Sequence, residues 1–474
     1  MIKEYHIFVG GNLRPCRKAQ EVINPYNQEV VGIAHQAGEE EVELAVRSAQ
    51  TAFDEMRRLP LYKRADALQN ITDGIKEQKE ELARMISLEA GKPITDARTE
   101  VGRSIMTFQT AAEEAKRMGG EVVPLDLIPG NDRRVAIVRR FPIGPILGIT
   151  PFNFPLNLVA HKIAPAIASG NTILLKPAPK TPITPLLLAE IIKGAGLPNG
   201  AVNVFATTNE LAERLVTDER IKMISFTGSA RVGWMLKAKA GKKKVLLELG
   251  GNAGVIVHQD ADLDLASRRC TAGGFSYAGQ TCISVQRIYV QQDVAKPFMD
   301  RLIIHVRKLK MGDPLKEDTN VGPMIDPSAA IRTEEWVKEA VQQGARLVIG
   351  GTRREQFFEP TVLADTKPTM KVCSEEVFAP LVMVMPYRTF DEAIAEVNHS
   401  AYGLQAGVFT RDLSLTFKAF EEIEVGGLMI NEVPAFRVDS MPYGGVKDSG
   451  FGREGIRYAM EAMTELRLLA LNPG

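Results

Sequence analysis

Between residues 144 and 250 the chain repeats one arrangement, a short apolar run followed by a longer helix-like segment. The short runs are IGPILGIT, NTILLKP, VNVFA, IKMISFTGS and KVLLELGG, and the segments between them are PLNLVAHKIAPAIASG, TPITPLLLAEIIKGAG, ELAERLV and RVGWMLKAKAG. A tight turn can join antiparallel strands, but parallel strands need a crossover long enough to hold a helix. The spacing therefore predicts βαβ units and a mostly parallel sheet, the α/β class. Such a sheet binds its ligands beyond the carboxyl ends of its strands.

A second α/β series begins near residue 251. NAGVIV, SVQRIYV, LVMVMPY, QAGVFT and GGLMI read as strands, with helices at DLDLASRRCTAGGF, VAKPFMDRLIIHVRKL and FDEAIAEVNHS. Two α/β domains follow, divided near Gly250–Gly251. Residues 39–118 read as helices: Val42, Val46, Ala49 and Phe53 form one apolar stripe, and Gly91 and Pro93 end a later segment. RVAIVRR at 134–140 has the character of a strand, and EAMTELRLLALN that of a terminal strand.

At 474 residues the chain is too long for a single core. Its 58 basic residues balance 58 acidic ones, which leaves no electrostatic footprint for nucleic acid. No run of about 18 apolar residues is present, so no membrane span is expected. MIKEYHIFVGG lacks the apolar core of a signal peptide. The four cysteines, Cys16, Cys270, Cys282 and Cys373, form no disulfide framework and fit a reducing cytoplasm. The six histidines show no metal-ligand spacing, so no structural zinc is expected.

Chemistry concentrates at strand ends. In ITPFNFP, Asn153 lies between two aromatics, either as a turn residue or as an amide donor placed where charge develops on an oxygen. Lys176 ends an apolar strand in LLKPAPKTP and is suited to ribose or phosphate oxygens. Gly228 and Ser229 open a helix whose backbone N–H groups suit a pyrophosphate, although GxGxxG is absent. Glu248, in LLELGGNAG, sits in an apolar strand where burial would raise its pKa into the range of a general base. Cys282, in GGFSYAGQTCISVQR, is surrounded by small and polar residues rather than core side chains, and a packed inert thiol is its alternative reading. Together they form one constellation: a thiol to attack a carbonyl, an amide to hold the oxyanion, a carboxylate to activate water, and a dinucleotide to take a hydride.

The chain resembles the aldehyde dehydrogenase superfamily over essentially its whole length. The resemblance rests on TPFNFP, LLKPAPKTP, FTGS, ELGG, GQTC, EEVFAP at 375–380 and YGGVKDSGFGREG at 443–455, in that order. It implies a catalytic set of Cys282 as nucleophile, Glu248 as general base and Asn153 as oxyanion donor, with Lys162 and Glu454 relaying protons. The implied cofactor contacts are Thr150, Pro151, Phe152, Asn153, Lys176, Pro179, Lys180, Gly228, Ser229, Glu248, Leu249, Gly250, Glu376 and Phe378. It also implies a Rossmann-like cofactor domain over 1–120 and 141–250, a catalytic domain over 251–440, and a small β-flap over 121–140 and 455–474. That flap would serve a homo-oligomer, a dimer or tetramer. No metal is expected.

Family members that prefer NAD commonly carry a glutamate three residues after the lysine matched by Lys176. Here Pro179 stands there, followed by Lys180. Losing that carboxylate removes repulsion against a 2′-phosphate, so NADP or NAD use is expected. Arg103, His161, Thr281 and Arg437 are the candidate substrate contacts, for a small hydroxylated or anionic aldehyde such as lactaldehyde, glyceraldehyde 3-phosphate or a semialdehyde. The two arginines read equally well as structural ion pairs. Rival readings are a CoA-acylating dehydrogenase and an inactive structural or binding relative. Glu248 argues against the first, and intact Cys282, Glu248 and Asn153 against the second.

Overall fold

The computed structural model describes residues 2–472. Its largest sheet has eight strands. Five of them are parallel, in the spatial order Lys244–Glu248, Met223–Thr227, Ile146–Ile149, Ile173–Lys176, Val202–Val204. In chain order Ile146–Ile149 comes first, so the progression reverses between it and Met223–Thr227. That reversal opens a crevice at the carboxyl edge of the sheet, where a ligand can enter between diverging loops. The helices Asn157–Ser169, Ile183–Lys193, Asn209–Thr217 and Ala230–Lys239 make the crossovers. The helix Asn157–Ser169 is buried along its entire length, which explains why its sequence lacks an exposed polar face.

Three further strands complete this sheet from outside the repeat. Ile7–Val9 pairs antiparallel to Val202–Val204, and Asn12–Arg14 pairs with Ile7–Val9. At the opposite edge Gly450–Phe451 pairs antiparallel with Leu247 and Glu248. A seven-stranded sheet holds Ala253–Val257, Val285–Gln291, Leu381–Tyr387, Gln405–Phe409 and Gly427–Ile430 in parallel, with Thr361–Ala364 and Arg346–Ile349 extending it. Its core is a separate cluster around Val255, Ile288, Phe298, Val382 and Phe409.

A third sheet of three antiparallel strands joins Gly120–Pro124, Val135–Pro142 and Thr464–Leu471. The proposed flap segment 455–474 needs correcting at its start. Ile456–Ala462 is a helix packed on Asn157–Ser169 and on Ile94–Arg117, and the strand begins only at Thr464. Residues 473–474 lie outside the described residues. No described helix is long and apolar enough to cross a membrane.

Candidate active site

The loops that leave the reversal point meet the loop before Cys282 around a cavity of about 410 Å³. Its wall includes Pro151, Phe152 and Asn153 from one strand end, Gly228 and Ser229 from the next, and Glu248, Leu249 and Gly250 from a third. Cys282, Glu376, Phe378, Arg103 and Arg437 line the same space. Residues spread over some 330 positions of sequence are thus brought together by topology.

The turn that presents Cys282 is conformationally unusual. Tyr277, Ala278 and Gly279 all have positive φ, at 48°, 52° and 66°. For non-glycine residues this costs on the order of 1–3 kcal/mol each and persists only where the surroundings enforce it. Here the Tyr277 hydroxyl donates to the Ala90 carbonyl at 2.9 Å, and the Lys92 ammonium lies 4.6 Å from its ring centroid. Gln280 follows: its side-chain oxygen accepts from the Ile325 N–H at 2.8 Å, and its carbonyl accepts from Asn153 Nδ2 at 3.0 Å. A Cβ on Gly279 would come within 2.1 Å of the Ala379 carbonyl oxygen, so only glycine fits there.

Cys282 Sγ lies 3.0 Å from the Tyr443 hydroxyl. Burial pushes the thiol up to about 11, against the opposing pull of that hydrogen bond and of Arg437. The Arg437 guanidinium stacks on the Tyr443 ring, 3.6 Å from its centroid. Glu248 is buried. Its Oε1 accepts from the Glu454 N–H at 3.3 Å, while Oε2 has no partner. Desolvation first, and the neighbouring Glu454 charge second, hold its carboxyl well above the usual range. Glu454 goes the other way. Burial opposes its ionisation, but Lys162 at 3.1 Å, His161 and Arg437 at 3.4 Å outweigh it. Two buried carboxyls side by side are thereby pushed in opposite directions.

Asn153 keeps one amide N–H beyond its bond to Gln280, and its Oδ1 is buried without a partner. Glu376 Oε1 accepts from the Gly251 N–H at 3.0 Å, and burial raises its carboxyl to about 7. Phe378, at φ 54°, faces Phe152 edge-on with ring centroids 6.0 Å apart.

The strand ends carry features that fit a dinucleotide. Ser229 begins the helix Ala230–Lys239 without capping it, which leaves its hydroxyl and the first-turn N–H groups for an anion. A Cβ on Gly228 would come within 2.5 Å of the Phe226 ring, so a side chain there would have to displace that ring. The buried hydroxyls of Thr150 and Thr227 lack partners. Lys176 is buried beside Asn209 at 3.4 Å, at the carboxyl end of its strand but outside the cavity wall.

Several sequence expectations change here. His161 does not line the cavity. It is buried against Asp439 at 2.8 Å and Arg437 at 3.3 Å, and acts by holding them. Thr281 also lies outside the main cavity. Lys180 is half-exposed and bonded to Asp326, so its charge is already engaged, and Pro179 lies outside the wall with its carbonyl bound by Gln20. Arg103 both lines the cavity and pairs through two nitrogens with Asp439, at 3.1 and 2.7 Å, so its two readings coexist. The sequence reading missed Tyr443, Arg332 and Asp326 in the wall. Tyr443 begins YGGVKDSG, whose paired glycines mark a close backbone approach; Arg332 and Asp326 carry no local signal.

The sequence profile of the aldehyde dehydrogenase family matches residues 13–469. The chain is 46% identical over 472 residues to 3-sulfolactaldehyde dehydrogenase of Priestia megaterium, covering 99% of this chain and 98% of that protein. Among solved structures, aldehyde dehydrogenase 21 of Physcomitrella patens, in complex with the reaction product succinate, superposes with a TM-score of 0.98 at 46% identity, covering 99% of this chain and 98% of that one. The glyceraldehyde-3-phosphate dehydrogenase of Methanocaldococcus jannaschii, complexed with NADP, superposes with a TM-score of 0.93 at 42% identity, covering 96% and 100%.

Proposed function

The chain belongs to the aldehyde dehydrogenase family and is an NAD- or NADP-dependent aldehyde oxidoreductase, and from that premise we propose that it oxidises a short aldehyde with an anionic tail to the carboxylic acid, through a thioester on Cys282. The supporting observation is the sharing of one cavity by Cys282, Glu248, Asn153 and three arginines, Arg103, Arg332 and Arg437.

In this reading Glu248 takes the thiol proton and Cys282 Sγ adds to the aldehyde carbon. The free N–H of Asn153 donates to the oxygen that becomes negative. Bound at the strand ends, the nicotinamide dinucleotide supplies the acceptor for the hydride. Gly228, Ser229 and the helix they open would hold its pyrophosphate, Lys176 its adenosine ribose, and Glu376 with Phe378 its nicotinamide end. A water then attacks the thioester carbon, Glu248 accepts its proton, and the thiolate leaves as the acid forms. The unpartnered Glu248 Oε2 is the atom left for that water. Glu454 and Lys162 pass the proton away from the base, along the contact at 3.1 Å.

Arg103 and Arg437 give the cavity its cationic side. A sulfonate, carboxylate or phosphate two or three carbons from the aldehyde suits them. Sulfolactaldehyde and glyceraldehyde 3-phosphate, in the names of similar proteins, and succinate, the product bound to another, carry such groups, although lactaldehyde, in the name of a further one, does not. The test is a panel of short aldehydes, neutral and anionic, with Cys282→Ala and Arg103→Ala. Cys282→Ala should abolish oxidation and leave nucleotide binding intact. Arg103→Ala should cost anionic substrates roughly tenfold or more in kcat/KM, the worth of one charge-assisted hydrogen bond, and spare propanal. Equal losses for both substrate classes would remove the anionic tail from the proposal.

A further inference from the structure

A second group of ligand-type side chains meets in the N-terminal sheet, and none of it lines the cavity. Glu4–Tyr5 runs parallel to Val30–Gln36, with Glu4 opposite Ile33 and Tyr5 opposite Ala34. Continuing that register sets His6 beside His35, and the two rings meet edge-on with centroids 4.8 Å apart. Glu4 Oε2 lies 3.1 Å from His35 Nε2. One ligand atom from each of Glu4, His6 and His35 lies within 4.8 Å of the others. Burial is graded across the group: His35 is buried, His6 half-buried and Glu4 exposed, so one side stays open to water.

The far side of His35 decides what the group can do. Its Nδ1 lies 2.8 Å from the Cys16 nitrogen and 3.0 Å from the Cys16 carbonyl oxygen. In one tautomer Nδ1 accepts from the Cys16 N–H, and Nε2–H donates to Glu4. In the other, Nδ1–H donates to the Cys16 carbonyl, loses the bond from the Cys16 N–H that it then faces, and turns a bare Nε2 lone pair toward a carboxylate oxygen. That second arrangement is repulsive until a cation stands between the two atoms. A backbone carbonyl behind Nδ1 is also the usual support for a metal-ligating imidazole.

We propose that Glu4, His6 and His35 form a zinc site that ties the first strand to Val30–Gln36. Two imidazole nitrogens and a carboxylate oxygen suit Zn²⁺, with water in the fourth position. The sequence offered no such reading, because ligands at positions 4, 6 and 35 follow no metal spacing and meet only through the strand pairing. The role is structural, a clamp placed just before Ile7–Val9 enters the eight-stranded sheet.

The test uses chelator-stripped full-length protein dialysed against ZnCl2, with bound zinc measured for wild type, His6→Ala and Glu4→Gln. Cys282 is alkylated beforehand so that its thiol contributes nothing. Wild type should hold one zinc per chain, and zinc should slow hydrogen exchange in residues 4–9 and 30–36. An outer-shell partner alone is worth roughly 10–100-fold in metal affinity, so His6→Ala should lose tenfold or more, and Glu4→Gln a comparable factor. Among the described residues the His6 side chain makes no hydrogen bond, its contact being the edge-on packing against His35, and the unalkylated variant should oxidise aldehyde like wild type. Equal zinc content in wild type and His6→Ala, or none in wild type, overturns the proposal.

Discussion

The Tyr443 hydroxyl lies 3.0 Å from Cys282 Sγ, and the opposite influence on the same ring is the Arg437 cation at 3.6 Å. The phenol is thus polarised by a guanidinium on its face while its hydroxyl faces the sulfur. Tyr443→Phe removes the one hydrogen bond that favours the thiolate. The thiol, already at about 11, should then titrate higher, and iodoacetamide alkylation at pH 8 should slow by roughly tenfold, the size of a hydrogen bond to a charged group. An unchanged alkylation profile would show that the contact does not tune the sulfur.

Glu248 holds its proton to higher pH than an ordinary carboxyl, because burial and Glu454 both disfavour its charge. The base form therefore appears only as pH rises, so thioester hydrolysis should accelerate with pH above the usual carboxylate range. Glu248→Gln should erase that limb and leave a burst of NAD(P)H before a slow steady state. If acylation slows as well, single-turnover kinetics separate the two steps. Steady-state rates equal to wild type would exclude the carboxylate from the reaction.

Asp326 engages Lys180. Burial opposes ionisation of Asp326, but bonds from Lys180, Ser328 and the Ala329 N–H hold its carboxyl down at about 2. Asp326→Asn should free the ammonium for a 2′-phosphate and shift the NADP-to-NAD ratio of kcat/KM upward by a few-fold, in keeping with about 0.2–1 kcal/mol for an exposed pair. Pro179→Glu should do the reverse, lowering NADP efficiency far more than NAD efficiency. A wild type that favours NAD by a hundredfold would mean that another residue reads the ribose.

The three-stranded sheet carries Val122, Leu466, Leu468 and Leu469 with more than half of each surface exposed. Apolar rows of this kind mark a surface that another chain covers. The protein should run as a homo-oligomer in light scattering, and Leu468→Arg should lower its mass without lowering the melting temperature of the isolated chain. A monomeric wild type would leave these leucines unexplained.

The parallel repeat was legible because strands buried on both faces become unbroken apolar runs, and helices must fill the gaps. ILGI and ILLK are four-residue strands with every residue buried. Glu4–Tyr5 and Ile7–Val9 escaped the same reading because they are two- and three-residue strands that lie outside the alternating strand and helix repeat which made the equally short Val202–Val204 legible. At the site, Cys282, Glu248 and Asn153 were visible as residues out of place among their neighbours. Tyr443 was not, since a tyrosine in a glycine-rich loop declares nothing until the loop crosses the thiol. His161 misled for a related reason: its helix faces the cavity, but its side chain lies on the face turned to Asp439.

The strand Gly450–Phe451 lies along Leu247 and Glu248, and the base, its relay partner and the thiol's phenol are all set by residues after 440. Synthesis delivers the nucleophile long before it delivers these groups. A nascent chain halted before Tyr443 carries Cys282 without its phenol partner, and one halted before Glu454 lacks the N–H that completes the setting of its base. Chemical competence therefore arrives with residues 443–454, and a chain released from the ribosome before them is a thiol without an enzyme around it.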